Sequence, residues 1–257
     1  NYYCLTRDGQ WLRAKAFPLM KAVADFWVSR VTRNDDGSYS ICNVVGADEY
    51  ANGVDDNAFT NGAAIRALEY ACEAAKICNE PVPEIWEEVG KGIRILRFKD
   101  GVTREHATYN GEMIKQADVN LLGYPLYFVG DAESQKKDME YYVDKIDPQN
   151  GPAMSYSVFC VQYARMGDAK RAYEMFCRCY QPNLRAPFGV LAETPTSDNP
   201  YFMTGAGGLL QAVINGFCGL QITDGGVEQL SSVLPAHWKK VTVKGVEPEK
   251  KMYVRER

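Results

Sequence analysis

The chain has 257 residues, with 29 Lys and Arg against 33 Asp and Glu, a formal net charge of -4 and 46% hydrophobic residues. That balance, without any basic run, argues against a nucleic-acid or anionic-membrane partner. No apolar run approaches the roughly 20 residues that a membrane-spanning helix requires. What is left is a globular chain able to bury one large core or two smaller ones.

Eight cysteines in this length do not make a disulfide framework, and most fall inside apolar helical patterns, so buried free thiols are expected. Cys177-Arg178-Cys179 is neither a zinc nor a redox spacing, and the only histidines are His106 and His237, so no metal and no cofactor are expected. No Asn-x-Ser/Thr site occurs. Free thiols and no glycosylation site together point to a reducing compartment and a cytoplasmic location. A start at Asn1-Tyr2-Tyr3 without methionine suggests that the natural beginning is missing.

The first helix is predicted over residues 17–31, with Pro18 in its first turn and an apolar stripe through Leu19, Val23, Phe26/Trp27 and Val31. A loop of about 25 residues follows, far longer than most connections. It holds a strand-like piece at 39–45 and then VVGADEYANGVDDNAFTN, residues 44–61, which has neither helical period nor strand alternation. Asp55 or Asp56 is the expected cap of a second helix, 57–78, rich in alanine. Further helices are predicted over 84–96, from about Met113 to Pro125, and over 133–146, 153–166, 168–180 and 205–217. Long loops lie at 97–112 and 181–203. After Cys218 the period changes, and Leu220/Ile222, Val227/Leu230, Val241/Val243 and Met252/Val254 read as short strands. The division is therefore a helical part, 1–218, and a small β-region, 219–257.

The three longest loops follow the first, third and seventh of these helices. In an up-and-down array such loops emerge at one end, which places Glu49, Glu193 and the Lys115-Gln116 pair at a common mouth. Two carboxylates, a lysine and an amide suit a carbohydrate-cleaving site with a general acid, a general base and donors for sugar hydroxyls. Asp48 beside Glu49 is expected to help keep one carboxyl protonated, as an acid catalyst requires. The plainer reading of residues 44–61 is a solvated acidic loop whose Asp and Asn residues serve turns and caps.

Five stretches, in order, resemble glycoside hydrolase family 65. GADEYANGVDDNAFTN is similar to the family's Gly-Pro-Asp-Glu-Tyr-His motif, and IKQADVNLLGYPLYF, residues 114–128, to its Lys-Gln-Ala-Asp-Val signature. GPAMSYSVFCV (151–161), APFGVLAE (186–193) and TGAGGLLQAVINGFCG (204–219) resemble later segments, most closely in the branch that removes glucose from glucosylgalactosyl-hydroxylysine. The resemblance implies a mainly α chain forming part of an (α/α)6 barrel followed by a small C-terminal β-region. It implies Glu49 as general acid, Glu193 as general base, and sugar contacts from Lys115 and Gln116. Tyr156, within the GPAMSYS match, is a further candidate for lining the sugar site. The implied substrate is an α-glucosyl disaccharide or a glycosylated hydroxylysine peptide, cleaved with inversion, and the implied partner is a missing N-terminal part of the same polypeptide. A catalytically inactive binding or structural member and a disaccharide phosphorylase are the alternatives. Ala47 and Ala51 stand where the motif has proline and histidine, which predicts a less rigid loop and one lost polar sugar contact.

Overall fold

The computed structural model describes residues 1–128, 131–199 and 201–257. Two short turns, α1 (Tyr2–Thr6) and α2 (Gly9–Trp11), pass through a π-helical turn, Leu12–Ala16, into α3 (Phe17–Arg30). A two-residue hairpin, β1 (Thr32–Arg33) with β2 (Tyr39–Ser40), replaces most of the strand expected at 39–45. Val44 and Val54 then exchange backbone hydrogen bonds of 2.9 and 3.0 Å, which pinch residues 45–53 into a closed loop.

Helix α4 (Ala58–Cys78) is capped by Asn57, whose side chain accepts from the Thr60 N–H at 2.8 Å. The expected aspartate caps have other partners. Asp55 accepts from the Asn43 N–H at 2.8 Å, and buried Asp56 pairs with Arg94 and accepts from Ser40 Oγ at 3.1 Å. The alanine-rich face of α4 lets α3 and α5 (Glu84–Gly92) pack closely, around Ala64, Ile65, Leu68, Ala71, Trp86 and Val89. Helix α5 stops short of the predicted residue 96. Ile93 turns extended, and the Arg94 N–H donates to the Tyr39 carbonyl at 3.2 Å.

The helix predicted from Met113 does not form. Residues 112–118 run as irregular chain, with Ile114 in a parallel bridge to Ile146, before a 3₁₀ turn at Val119–Leu122. The reason lies in the donors. The N–H of Ile114 goes to the Lys145 carbonyl at 2.9 Å, that of Lys115 to Asp48 at 2.7 Å and that of Ala117 to Ser155 Oγ at 3.1 Å. A helix from Met113 would need the Ala117 N–H for its own ladder, and the bridge to Ile146 requires extended backbone at Ile114.

Helix α6 (Ala132–Tyr142) is followed by α7 (Met154–Arg165), which is buried nearly all round, and by α8 (Ala169–Arg178) against it. A second hairpin, β3 (Leu184–Arg185) with β4 (Val190–Leu191), precedes α9 (Met203–Gln211), which continues as a π-helical turn, Ala212–Phe217. Two more hairpins close the chain: β5 (Leu220–Thr223) with β6 (Gly226–Gln229), and β7 (Lys240–Val246) with β8 (Lys251–Glu256). The described residues are thus mostly helical with four small sheets. The C-terminal strands rest on the main core through buried Leu234, with Trp238 and Val241 against Phe217 and its neighbours. All eight thiols are free, and no helix among the described residues is long and apolar enough to cross a membrane.

The register between α4 and the 3₁₀ turn depends on Gly62, where an added Cβ would collide with the Leu122 side chain. Gly62→Val is expected to lower unfolding free energy by roughly 1–3 kcal/mol, the usual penalty for overpacking, as read by urea denaturation.

Candidate active site

The acidic loop is held from below by buried carboxylates. Asp118 is 1% exposed and accepts from the Ala47 N–H at 2.8 Å, the Asp48 N–H at 3.3 Å, Asn57 Nδ2 at 3.0 Å and the Phe59 N–H at 3.3 Å. One side chain therefore joins residues 47–48, the cap of α4 and the 112–118 segment. Gly46 is needed beside it, since a Cβ there would strike the Asn57 amide. The Ala47 N–H that Asp118 receives is a donor that proline lacks. The structure thus offsets the looser loop expected from Ala47. Ala51, 6% exposed, packs inward.

Asp48 is 2% exposed, and its Oδ1 accepts from the backbone N–H of Lys115 at 2.7 Å and of Tyr50 at 3.2 Å. Tyr50 is anchored at its other end, where its hydroxyl donates to Asp147 at 2.8 Å. Asp147 also accepts from the N–H groups of Gln149 at 2.8 Å and Asn150 at 3.0 Å, and these donors hold its carboxyl well below the usual range.

Glu105 is completely buried, with neither carboxyl oxygen receiving a hydrogen bond from a donor group. Burial, reinforced by the charges of Asp118 and Asp48, pushes it up to about 9. Asp48 and Asp118 are also raised by burial, while the N–H groups that they accept oppose the rise. The sequence-based expectation placed a like-charge neighbour of Asp48 at Glu49. In the structure, the carboxyl that burial and the charges of Asp118 and Asp48 push up is Glu105, a residue on which no sequence-based expectation fell. Nothing in the local pattern TREHATY marks it.

Above this buried layer the side chains brought together are Glu49, Lys115 and Glu193. Lys115 Nζ lies 2.5 Å from Glu49 Oε2 and 3.7 Å from Glu193 Oε1. The hydrogen bond to Glu49 is the first cause that raises Lys115 and keeps it a cation. Glu193 reaches this point because Asn183, 1% exposed, donates to its carbonyl at 3.0 Å, and the Ala153 N–H donates to the same oxygen at 3.1 Å. Its side chain takes an amide hydrogen bond from Asn199 at 3.4 Å. Arg185 secures the chain beyond it by donating to the carbonyls of Thr194, Pro195 and Ser197 at 3.2, 2.8 and 2.7 Å.

The other two candidates lie differently. Gln116 Nε2 donates to the Ala47 carbonyl and so helps close the loop. Tyr156 is half-buried against the main core, with the Arg178 guanidinium 5.0 Å from its ring centroid. No group of three or more His, Cys, Asp or Glu able to hold a metal occurs among the described residues. Two carboxyl groups facing each other across one ammonium can give a proton to one atom and take a proton from another, on opposite sides of a bound molecule.

Such a pair on a helical scaffold is compatible with carbohydrate processing. Residues 1–109 match the glycosyl hydrolase family 65 central catalytic domain. The chain belongs to glycoside hydrolase family 65. It is 51% identical over 254 residues to a kojibiose hydrolase of Mucilaginibacter mallensis, covering 99% of this chain and 38% of that protein. It is 38% identical over 235 residues to a protein-glucosylgalactosylhydroxylysine glucosidase of Dictyostelium discoideum, covering 89% of this chain and 32% of that one. A solved structure assigned as a kojibiose phosphorylase from human microbiome superposes with a TM-score of 0.76 at 17% identity, over 100% of this chain and 39% of its own. The chain therefore spans less than two fifths of the length of the curated relatives it matches.

The buried acid has a consequence for pH. The unfolded chain releases the Glu105 proton near its ordinary value of 4.5, whereas the folded chain keeps it to about 9. Between those values the folded state binds the extra proton. Stability contributed by this group therefore falls as pH rises, at up to about 1.4 kcal/mol per pH unit. Asp147 has the opposite sign, and its contribution is lost as pH falls below the usual carboxyl range. Melting temperature is expected to decline steadily from mildly acidic pH towards pH 9. A melting temperature that rises across this window would contradict the assignment.

Proposed function

We propose that the intact protein hydrolyses an α-glucosyl disaccharide, with inversion at the anomeric carbon. The observation that carries this reading is the single Lys115 ammonium lying between the Glu49 and Glu193 carboxylates, 2.5 and 3.7 Å from each. The sum of those distances is the largest separation these two oxygens can have. That bound falls below the range of about 6.5–9.5 Å between carboxyl groups that leaves room for a water in inverting enzymes, so the pair has to move apart when a saccharide displaces Lys115 from one of them.

In this reading a glucosyl unit enters with its hydroxyls facing Lys115, which exchanges a carboxylate partner for a sugar oxygen. Glu49, in its acid form, protonates the glycosidic oxygen as the bond to the anomeric carbon breaks. Glu193 takes a proton from a water on the opposite face, and that water's oxygen forms the new bond to carbon. Lys115 remains protonated and offsets negative charge between the two carboxyl groups. Gln116 acts by shaping the loop through Ala47, and Tyr156 supports the wall from the core side.

The kojibiose hydrolase and hydroxylysine-linked glucosidase among the relatives support a glucosyl disaccharide, free or on hydroxylysine, as the substrate class. We further propose that helices supplied by the rest of the polypeptide complete an (α/α)6 barrel around this mouth. The likeness to the phosphorylase structure supports that architecture alone. A carboxylate at 193 repels a phosphate nucleophile and so favours water. The eight free thiols support a reducing compartment.

The test is glucose release from α-1,2-linked glucosyl disaccharides by the intact protein, followed by NMR of the anomer first formed. β-Glucose is expected, at a rate independent of added phosphate. Glu49→Gln and Glu193→Gln should each lower kcat by roughly 10²–10⁴-fold, the usual range for a lost acid or base. Phosphate-dependent formation of glucose 1-phosphate would overturn the hydrolytic reading, and saccharide binding without turnover would favour an inactive member.

A further inference from the structure

Behind the Glu49–Lys115–Glu193 mouth lies a second set of acids that the proposed reaction does not use: Asp48, Glu105 and Asp118, each no more than 2% exposed. Asp118 has four donors and Asp48 two, so both are supplied as carboxylates. Glu105 has none, although the Asp48 carboxyl lies within hydrogen-bonding reach of it. Two buried carboxyl groups in contact can form one strong hydrogen bond if they share a single proton, and repel each other if they share none. The proton belongs on the partner that no N–H group supports. The other charges that reach Glu105 come from Asp118 and Glu112 on the 112–118 segment, and the phenols of Tyr109 and, from α6, Tyr142 lie across it. His106, next in the chain, is disfavoured as a cation by burial.

We propose that Glu105 is a neutral carboxylic acid whose O–H donates to Asp48, and that it is a positioning residue for the catalytic mouth. Asp48 holds the backbone N–H groups of Tyr50 and Lys115 at 3.2 and 2.7 Å, so its orientation sets where Glu49 and the Lys115 ammonium stand. The Glu105 proton fixes that orientation from the side opposite the substrate. This role rests on the hydrolase reading above, whereas the protonation state of Glu105 does not.

The experiment compares Glu105→Gln with Glu105→Met in the intact protein. Glutamine keeps a donor for Asp48 and is permanently neutral; methionine is of similar size and has no donor. Backbone hydrogen exchange at Tyr50 and Lys115 should stay slow in Glu105→Gln and become at least tenfold faster in Glu105→Met. For α-glucoside hydrolysis, kcat should fall on the order of 100-fold in Glu105→Met, with KM changed little, as expected of a misplaced catalytic pair. Glu105→Gln should retain most of the activity and lose the decline above about pH 9 that ionisation of Glu105 causes in the wild type. In infrared difference spectra at neutral pH, the wild type should show a protonated carboxylic C=O band that is absent from Glu105→Gln.

The proposal is overturned if that band is missing, if Glu105→Met protects the two amides as the wild type does, or if Glu105→Gln behaves as Glu105→Met does. A wild type that hydrolyses no α-glucoside would sink the hydrolase reading instead, and the exchange and infrared results would still judge Glu105.

Discussion

The Asp118 carboxylate and the four N–H groups converging on it are what the rest of the site depends on. A buried carboxylate is costly to ionise without donors, and a buried backbone N–H is costly without an acceptor. Here each requirement meets the other. The donors come from the acidic loop, from the Asn57 side chain and from the first turn of α4, while the acceptor comes from the segment before the 3₁₀ turn. The same contact that satisfies the start of a helix therefore also locks an aperiodic loop onto a second aperiodic segment. Gly46 and Asn57 are tied to this arrangement, since the cap can take its place only where residue 46 has no side chain.

Charge is then sorted into two layers. The outer carboxyl groups, Glu49 and Glu193, face Lys115 at the mouth, where a substrate can replace one partner by another. The inner ones, Asp48 and Asp118, are committed to backbone N–H groups and the Asn57 amide and have a supporting role. Placing this many acids within one site without mutual repulsion requires that one of them be neutral. Glu105, wholly buried and without donors, fills that requirement. The cost is a stability that declines as pH rises, and the gain is a rigid floor beneath the Glu49, Lys115 and Glu193 cluster.

Long-range organisation of the chain follows from the same need for partners. The topological count from helix ends placed Lys115 at the first turn of a helix, at the same mouth as Glu49 and Glu193. Lys115 does reach those carboxylates, but from irregular chain, because Ile114 bridges to Ile146 in extended backbone and the Ala117 N–H, which a helical ladder would use, serves Ser155. Propensity for a helix at 113–125 was overridden by tertiary acceptors. The aspartate caps expected at 55–56 were displaced for a related reason. Arg94 and Asn43 offered those carboxylates partners of their own, and the neighbouring Asn57 took the cap.

The sequence alone determined the elements whose signal is local. Helices α3, α4, α7 and α8 stand close to where period and Pro or Gly punctuation put them, and the β-hairpins after Cys218 follow strand alternation around Asp224-Gly225-Gly226. Glu49, Lys115 and Glu193 were legible because their neighbours form recognisable motifs in chain order. Only the tertiary structure decided that Asp48 turns inward, that Gln116 closes the loop, and that Glu105 holds a proton. A carboxyl group's burial and donors are supplied by residues far away in the chain, for Glu105 by Asp48 of the acidic loop, Asp118 and Tyr142 of α6, so no pattern beside it could announce its state.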